Sequence, residues 1–191
     1  LHAKAYDVWH KNLFQEKLKD MNLCTPEPYR VWEYYNQKCS IAQGYDIGIN
    51  NKGLRELQRP VLRLNRQEMI FGKKVVDEVK EKCKKDKAIV FQPYGRMINN
   101  ENGMVSDGSG RSFEADNAVS IIRKLSKKYA MIHMAEFQME FQKHNIKEPV
   151  ASPMGADLRA WAGIIQAADY FLGCDSAGQH IVHALDGWGT V

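Results

Sequence analysis

The residues best suited to chemistry form one short polar segment between two apolar runs. The segment runs from Gly173 to His180 and reads Gly-Cys-Asp-Ser-Ala-Gly-Gln-His. Such a segment is typical of a turn that ends a strand and begins a helix, where the first N–H groups have no helical partner and small residues admit a ligand to the backbone. A diphosphate fits such a turn, and the helix dipole contributes about 0.3–1 kcal/mol for a nearby anion. An ordinary N-cap formed by Asp175 or Ser176, with His180 packed or solvated, explains the same residues equally well.

A glycine-rich segment, residues 93–111, contains the second candidate site. Gly95 lies near its start with Arg96 next to it, and Arg111 closes it. Guanidinium groups bind phosphate through paired hydrogen bonds, and long loops in compact domains are often functional. We therefore expect a flexible phosphate-binding loop; a solvent-exposed loop with incidental arginines is the alternative.

A third candidate, Glu136, follows an expected strand that ends near Met134. A carboxylate at the end of a parallel strand can accept hydrogen bonds from ribose hydroxyls, as in dinucleotide-binding folds. A surface glutamate at the start of a loop is the alternative. His133 and Trp161 lie in apolar surroundings, and we expect both to be structural residues of the core.

These three segments need a scaffold of alternating helices and strands. A capping box at Asn65 and Glu68 predicts a helix to about residue 85. Its buried residues are predicted to be Met69, Val75, Val76 and Val79. Apolar runs predict strands at 88–91, 129–134 and 170–174, and helical periodicity predicts helices around 118–125, 158–167 and 180–185. This alternation is typical of a parallel sheet with right-handed crossovers, so we predict a Rossmann-like α/β unit whose ligands bind outside the carboxyl ends of the strands.

The first 60 residues differ from the rest, because they are rich in Trp, Tyr and amide side chains and show weak periodicity. We predict a helix after Pro28 and a loop at residues 46–51, which lie among glycines. We place a domain boundary near residue 60, with 61–191 as the second domain. The chain starts at Leu1 and ends in what reads as a strand barely begun, so we expect a fragment of a longer protein.

Composition and missing motifs argue against several classes of protein. The formal charge of +4 suits an acidic ligand such as a nucleotide without requiring nucleic acid. The four cysteines lie far apart, so neither a zinc site nor a disulfide framework is expected. Since there is no transmembrane segment and no leader, we predict a cytoplasmic protein. The absence of G-x-G-x-x-G, Walker, G-x-S-x-G and H-E-x-x-H patterns argues against a dehydrogenase, an NTPase, a serine hydrolase and a zinc protease.

The polar turn and the helix after it resemble a known signature. The D-S-G-x-x-H-x-x-x-A-L signature of heptosyltransferase-like glycosyltransferases is similar to residues 175–185, Asp-Ser-Ala-Gly-Gln-His-Ile-Val-His-Ala-Leu. Residues 156–173 resemble the family's helix and A-D-x-x-(I/V)-G strand, and residues 90–95 with 111–113 are similar to its proline-glycine loop and its basic residue before an aromatic one. The resemblance covers about residues 62–191. It implies the carboxy-terminal, nucleotide-sugar-binding half of a GT-B fold, with residues 1–60 from the end of the amino-terminal, acceptor-side domain.

The resemblance also implies an activity, that of an inverting, metal-independent glycosyltransferase. Its donor would be a nucleotide-diphosphate sugar, its acceptor a hydroxyl of a carbohydrate or of another molecule, and no further cofactor is implied. The donor diphosphate would lie on Ser176, Ala177, Gly178, Gln179 and His180. Arg111 would neutralise the leaving group, Asp175 would orient the turn or contact the sugar, and Glu136 would hold the ribose.

The chain departs from the family at three points. Ala177 stands where the family usually has glycine, and Arg111 stands where lysine is common. The family's general base lies near the amino end of the first domain, and no segment of this sequence matches it.

Other functions remain open. A sugar-nucleotide 2-epimerase of GT-B shape also has Asp-Ser followed by glycines, but it usually continues into an acidic pair where this chain has Gln179 and His180. A nucleotide-sugar-binding protein without turnover and a scaffold protein with a degenerate GT-B fold are both compatible with the missing base. A nucleic-acid acceptor is compatible with the mild basic charge, although nothing in the sequence indicates one.

Overall fold

The computed structural model describes residues 26–58, 60–95, 98–101, 104–107, 110–135, 139, 141–185 and 189–190. The chain divides into two compact units, Leu1–Arg59 and Pro60–Val191. Each unit has its own elements. The assignment of the first unit to an acceptor-side domain stays a prediction.

Short helices make up the described part of the first unit. A 3₁₀ turn at Pro28–Arg30 leads into helix α1 (Trp32–Tyr35), and helix α2 spans Ile41–Asn50. The helix predicted after the proline is therefore only four residues long. The loop predicted at residues 46–51 is wrong, because all but the last of them belong to α2.

Local capping and close packing explain why α2 forms despite its glycines. The Ser40 hydroxyl accepts from the backbone N–H of Gln43, and the Gln43 side chain accepts from the backbone N–H of Ser40, so the helix begins with a capping box. A Cβ at Gly44 would lie 3.2 Å from the Pro28 Cβ atom. The glycines that favoured a loop prediction therefore serve close contacts between neighbouring segments.

A five-stranded sheet forms the centre of the second unit, and all of its neighbouring strands are parallel. The strands of this unit are β1 (Ala88–Gln92), β2 (Ile98–Glu101), β3 (Met104–Asp107), β4 (Ala130–His133), β5 (Val150–Ala151), β6 (Tyr170–Gly173) and β7 (Gly189–Thr190). The order in the sheet is β5-β4-β1-β6-β7, while β2 and β3 form a separate antiparallel pair. The predicted Rossmann-like α/β architecture is confirmed, and the three predicted strands match β1, β4 and β6.

Four helices cover the two faces of the sheet. They are α3 (Arg66–Cys83), α4 (Ala115–Leu125), α5 (Leu158–Ala167) and α6 (Ala177–Leu185). Helices α3, α5 and α6 pack with Val90 of β1 in one core, whereas α4 packs with Ile89 and Phe91 in the other. Because side chains alternate along a strand, β1 divides its residues between both cores and is buried throughout.

Helix α3 begins and packs largely as its sequence predicts. The capping box is present, since Asn65 and Glu68 each accept a hydrogen bond from the other's backbone N–H. Val76 is buried, but Met69 is 43% exposed, which corrects its assignment to the core. Met69 is exposed because α5 packs against the backbone of the first turn of α3. A Cβ at Gly163 in α5 would lie 2.3 Å from the Glu68 carbonyl oxygen.

The connections between strands define one special position. From β1 the chain proceeds outward through β4 to β5, and then α5 returns it to β6 on the other side of β1. Open parallel sheets bind ligands at the carboxyl ends of the strands where the direction of strand addition reverses. In this sheet that position lies between the ends of β1 and β6.

Candidate functional site

The polar turn lies at the reversal point of the sheet. Gln92 ends β1 and is paired in register with Gly173, which ends β6. The backbone N–H of Cys174 donates to the Gln92 carbonyl at 2.9 Å, so the pairing continues into the turn. The segment singled out from the sequence therefore begins at the edge where open parallel sheets usually bind ligands.

Helix α6 begins at Ala177, three residues before the start predicted at His180. Ala177, Gly178 and Gln179 therefore form its first turn, and their N–H groups are those that lack partners inside a helix. The Gln179 N–H donates to the Ser176 carbonyl at 3.2 Å, which tightens the turn. The side chains of Asp175 and His180 are exposed.

A residue that the sequence analysis did not select, Gln92, holds this turn. Its side chain is 7% exposed, and its Oε1 atom accepts from the backbone N–H of Gly178 at 3.1 Å. Its Nε2 group donates to the Ser176 hydroxyl at 3.2 Å and to the Tyr94 carbonyl at 3.3 Å. The only local signal was a polar residue at the end of the apolar run Ala-Ile-Val-Phe.

The capping arrangement differs from the ordinary N-cap that was the alternative reading of the sequence. In the described part of the chain, neither the Asp175 carboxylate nor the Ser176 hydroxyl accepts a hydrogen bond from a backbone N–H group in the first turn of α6. The Asp175 carboxylate accepts instead from the Gln179 side-chain amide. Gln92 therefore acts as the cap, although it lies 86 residues from the amide that it binds.

Three consecutive N–H groups of the turn remain open. Among the described residues, no acceptor is hydrogen-bonded to the N–H groups of Asp175, Ser176 or Ala177. The first and last of these residues are exposed, and Ser176 is half-buried. Successive open N–H groups at a helix start attract an anion, because each is a donor and the helix dipole adds to their field. This row of N–H groups is hereafter called the amide row.

Two glycines of the turn are required by internal packing. A Cβ at Gly178 would lie 2.2 Å from the Gln92 Oε1 atom and 2.5 Å from the Phe171 ring. A Cβ at Gly173 would lie 2.7 Å from the same ring. Their presence is therefore explained without a ligand, and replacing Gly178 would disturb packing as well as any binding.

The segment at residues 93–111 starts and ends close to the end of β1. It contains the β2–β3 hairpin, which replaces part of the flexible loop expected from its glycines. The hairpin's base is closed, because the Gly95 N–H donates to the Ser112 hydroxyl at 2.9 Å and the Phe113 N–H donates to the Pro93 carbonyl at 2.9 Å.

The closed base of this hairpin places Arg111 beside Ser112, next to Gly95. Arg111 is exposed and makes no hydrogen bond or ion pair within the described part of the chain. Arg96 and Glu136, two further predicted site residues, lie outside the described residues. Their predicted roles stay predictions.

Buried polar side chains near the end of β4 belong to the core. His133 is 1% exposed and makes edge-to-face contacts with Tyr94 and Phe141, with ring centroids 6.2 Å and 5.4 Å away. Burial lowers the pKa of His133 from 6.5 to about 4 and raises the pKa of Tyr94. His133 is thus a neutral core residue at pH 7, as its sequence context predicts.

Two cavities among the described residues lie away from the polar turn. A cavity of about 650 Å³ beside β5 and another of about 500 Å³ along α4 contain no residue of the polar turn in their walls. The described residues include no group of three or more His, Cys, Asp or Glu side chains able to hold a metal ion. None of their helices has both the length and the apolar character of a membrane span.

Comparisons with protein-family models, with curated proteins and with solved structures found no match to this chain. The inference of function therefore rests on the chemistry of the turn, on its position in the sheet and on the resemblance of its sequence to the glycosyltransferase signature.

Proposed function

We propose that the second unit binds the diphosphate of a nucleotide-sugar donor and belongs to an inverting, metal-independent GT-B glycosyltransferase that transfers a sugar to a hydroxyl acceptor. The observation that carries this proposal is the amide row at the reversal point of the sheet. The N–H groups of the amide row lie at the edge where ligands bind in open parallel sheets. The similarity of the turn to the heptosyltransferase signature is the reason for proposing that the bound anion is the diphosphate of a nucleotide sugar.

The proposed chemistry follows from charge development in sugar transfer. As the bond from the sugar to the diphosphate breaks, negative charge accumulates on the leaving oxygen, and N–H groups already in place stabilise it without reorganising. Arg111, exposed beside the end of β1, would supply the positive charge that a bound metal ion supplies in other transferases. Asp175, bonded to the Gln179 side chain, would hold the turn's outer side.

Two further roles follow from the sequence, that of Glu136 from the resemblance and that of Arg96 from its place in the glycine-rich segment 93–111. Glu136 would accept hydrogen bonds from the ribose hydroxyls, and Arg96 would add a second guanidinium to the phosphate-binding loop. His180, exposed in the first turn of α6, would contact the diphosphate from the helix. An acceptor hydroxyl also needs a general base, which the resemblance places near the amino end of the first domain.

Calorimetric titration with ADP-, UDP-, GDP- and CDP-linked sugars tests the proposal. We expect saturable binding to one of these donors. Arg111→Ala should weaken that binding about tenfold or more, because a hydrogen bond to a charged group contributes about 1.5–3 kcal/mol. Lys124→Ala is the matched control, since Lys124 is exposed in the last turn of α4, at the edge where the strands begin.

The possible results separate the candidate functions. A folded protein that binds none of the four donors would refute donor binding and favour a scaffold. Selective binding without transfer to any hydroxyl acceptor would identify a nucleotide-sugar-binding protein. Equal losses of affinity in the two variants would mean that Arg111 acts only through the overall charge of the unit.

A further inference from the structure

We propose that Gln92 is the positioning residue of the donor site: its buried side-chain amide fixes the turn in the form that keeps the amide row open. This inference rests on the proposed function, because it assigns the row to one phosphoryl group of the donor. Gln92 itself is not proposed to contact the donor.

The three hydrogen bonds of Gln92 join three separate segments. They reach the Tyr94 carbonyl after β1, the Ser176 hydroxyl in the turn and the Gly178 N–H in the first turn of α6. Because the side chain is only 7% exposed, water competes weakly for these partners. Displacing Gln92 would therefore release the start of α6 from the end of β1.

The chemical character of a glutamine side chain suits this role. It has an acceptor for the Gly178 N–H and two donor hydrogens for the Ser176 and Tyr94 oxygen atoms. It is also neutral, so it places no negative charge beside a site meant for a phosphate. A glutamate at position 92 would keep the acceptor, lose both donors when ionised and repel the anion.

The same hydrogen bonds limit the number of phosphoryl groups that the turn can bind. Gln92 occupies the Gly178 N–H, and the Ser176 carbonyl occupies the Gln179 N–H. The amide row that remains, at residues 175–177, suits one phosphoryl group rather than an entire diphosphate. The second phosphoryl group of the donor must then bind elsewhere, and the exposed Arg111 is the candidate for it.

The test compares Gln92→Met, Gln92→Glu and the control Gln166→Met in the full chain. Gln166 is exposed in α5, away from the turn, so its replacement removes the same chemistry without the three contacts. The first readout is hydrogen exchange at the Gly178 N–H without ligand. The second is calorimetric affinity for the nucleotide sugar that the wild type binds, with thermal unfolding as the check on folding.

We expect Gln92→Met to lose protection at the Gly178 N–H. It should also weaken donor binding about tenfold or more, because a displaced turn would lose at least one hydrogen bond from the amide row to the charged phosphoryl group. Gln92→Glu should keep that protection, because its carboxyl still accepts, and yet weaken binding through its charge. The control should change neither readout. This pattern separates a positioning role from a merely structural one, since the glutamate variant loses affinity while the helix start stays protected.

The failure of this inference and that of the proposed function are distinguishable. Unchanged Gly178 exchange in Gln92→Met, or unchanged donor affinity once protection is lost, would overturn the positioning role while leaving donor binding intact. A wild-type protein that binds no nucleotide sugar would overturn the proposed function and, with it, the assignment of the amide row to a phosphoryl group.

Discussion

Replacing Ala177 with proline removes one N–H group that is proposed to donate a hydrogen bond to the phosphate. Ala177 is the first residue of α6, and its N–H makes no hydrogen bond among the described residues, so no such bond is lost. Proline is well tolerated at the first helical position, because its fixed φ suits the helix and its missing N–H would have lacked a helical partner anyway. The residue before it, Ser176, is then restricted to an extended conformation, which is the usual one at an N-cap.

The substitution is expected to stabilise the fold and to weaken donor binding. Where the native conformation accepts it, proline raises the free energy of unfolding by about 0.4–1 kcal/mol, since it restricts the unfolded chain. Loss of one hydrogen bond to a charged phosphate costs about 1.5–3 kcal/mol of binding free energy, which corresponds to about tenfold to hundredfold weaker affinity. Ala177→Pro should therefore fold at least as stably as the wild type and bind the donor poorly.

Thermal unfolding and calorimetric titration of Ala177→Pro and Ala177→Ser measure both effects. The serine variant keeps the N–H group at an exposed position, so we expect its donor affinity to match the wild type. A folded proline variant with unchanged donor affinity would refute the role of this N–H group in phosphate binding. A proline variant that is less stable by more than about 1 kcal/mol would instead refute the conformation assigned to the helix start.

Two further predictions concern stability. Gly163→Ala should lower the free energy of unfolding in urea by about 1–3 kcal/mol, because its Cβ would lie 2.3 Å from the Glu68 carbonyl; Gly95→Ala, whose Cβ would meet only Ser112 Oγ at 3.8 Å, is the mild control. His133, with a folded pKa of about 4 against 6.5 unfolded, should make the wild type lose up to about 3 kcal/mol as pH falls from 6.5 to 4, because the unfolded state binds the proton first. His133→Gln should flatten that part of the curve, and an unchanged slope in pH-dependent unfolding would contradict the burial of a neutral imidazole.

Most of the sheet could be predicted from the sequence because its signals are local and strong. The apolar runs at β1, β4 and β6 have no polar residue in their middle, and the helix predicted at 158–167 coincides with α5. Capping also worked where it was recognised, at the start of α3. Buried parallel strands and capped helices specify themselves over a few residues, so a sequence pattern suffices for them.

The predictions failed where a distant contact decides the local structure. Helix α2 has glycine at positions 44 and 48 because a proline packs against each of them. A Cβ at Gly44 would lie 3.2 Å from the Pro28 Cβ atom, and a Cβ at Gly48 would lie 3.2 Å from the Pro26 Cβ atom. Such glycines look like loop residues to any local rule, although the capping box at Ser40 was a signal that could have been used. The hairpin in residues 93–111 is a different case, because its strand pairing is local and yet its glycines favoured a loop.

The site shows the same division between local signals and contacts across the fold. Small residues after a strand identified the turn from sequence, but they could not distinguish an N-cap from a ligand site, because both need open N–H groups at a helix start. The structure shows where the cap comes from, since Gln92 binds the Gly178 N–H across 86 residues of chain. Since that cap comes from the neighbouring strand, the side chains of the turn are released from capping, and the amide row is left open at the edge of the sheet where ligands bind. The same contact makes the site depend on the pairing of β1 with β6, so changes that weaken this strand pairing should reduce donor affinity before they unfold the chain.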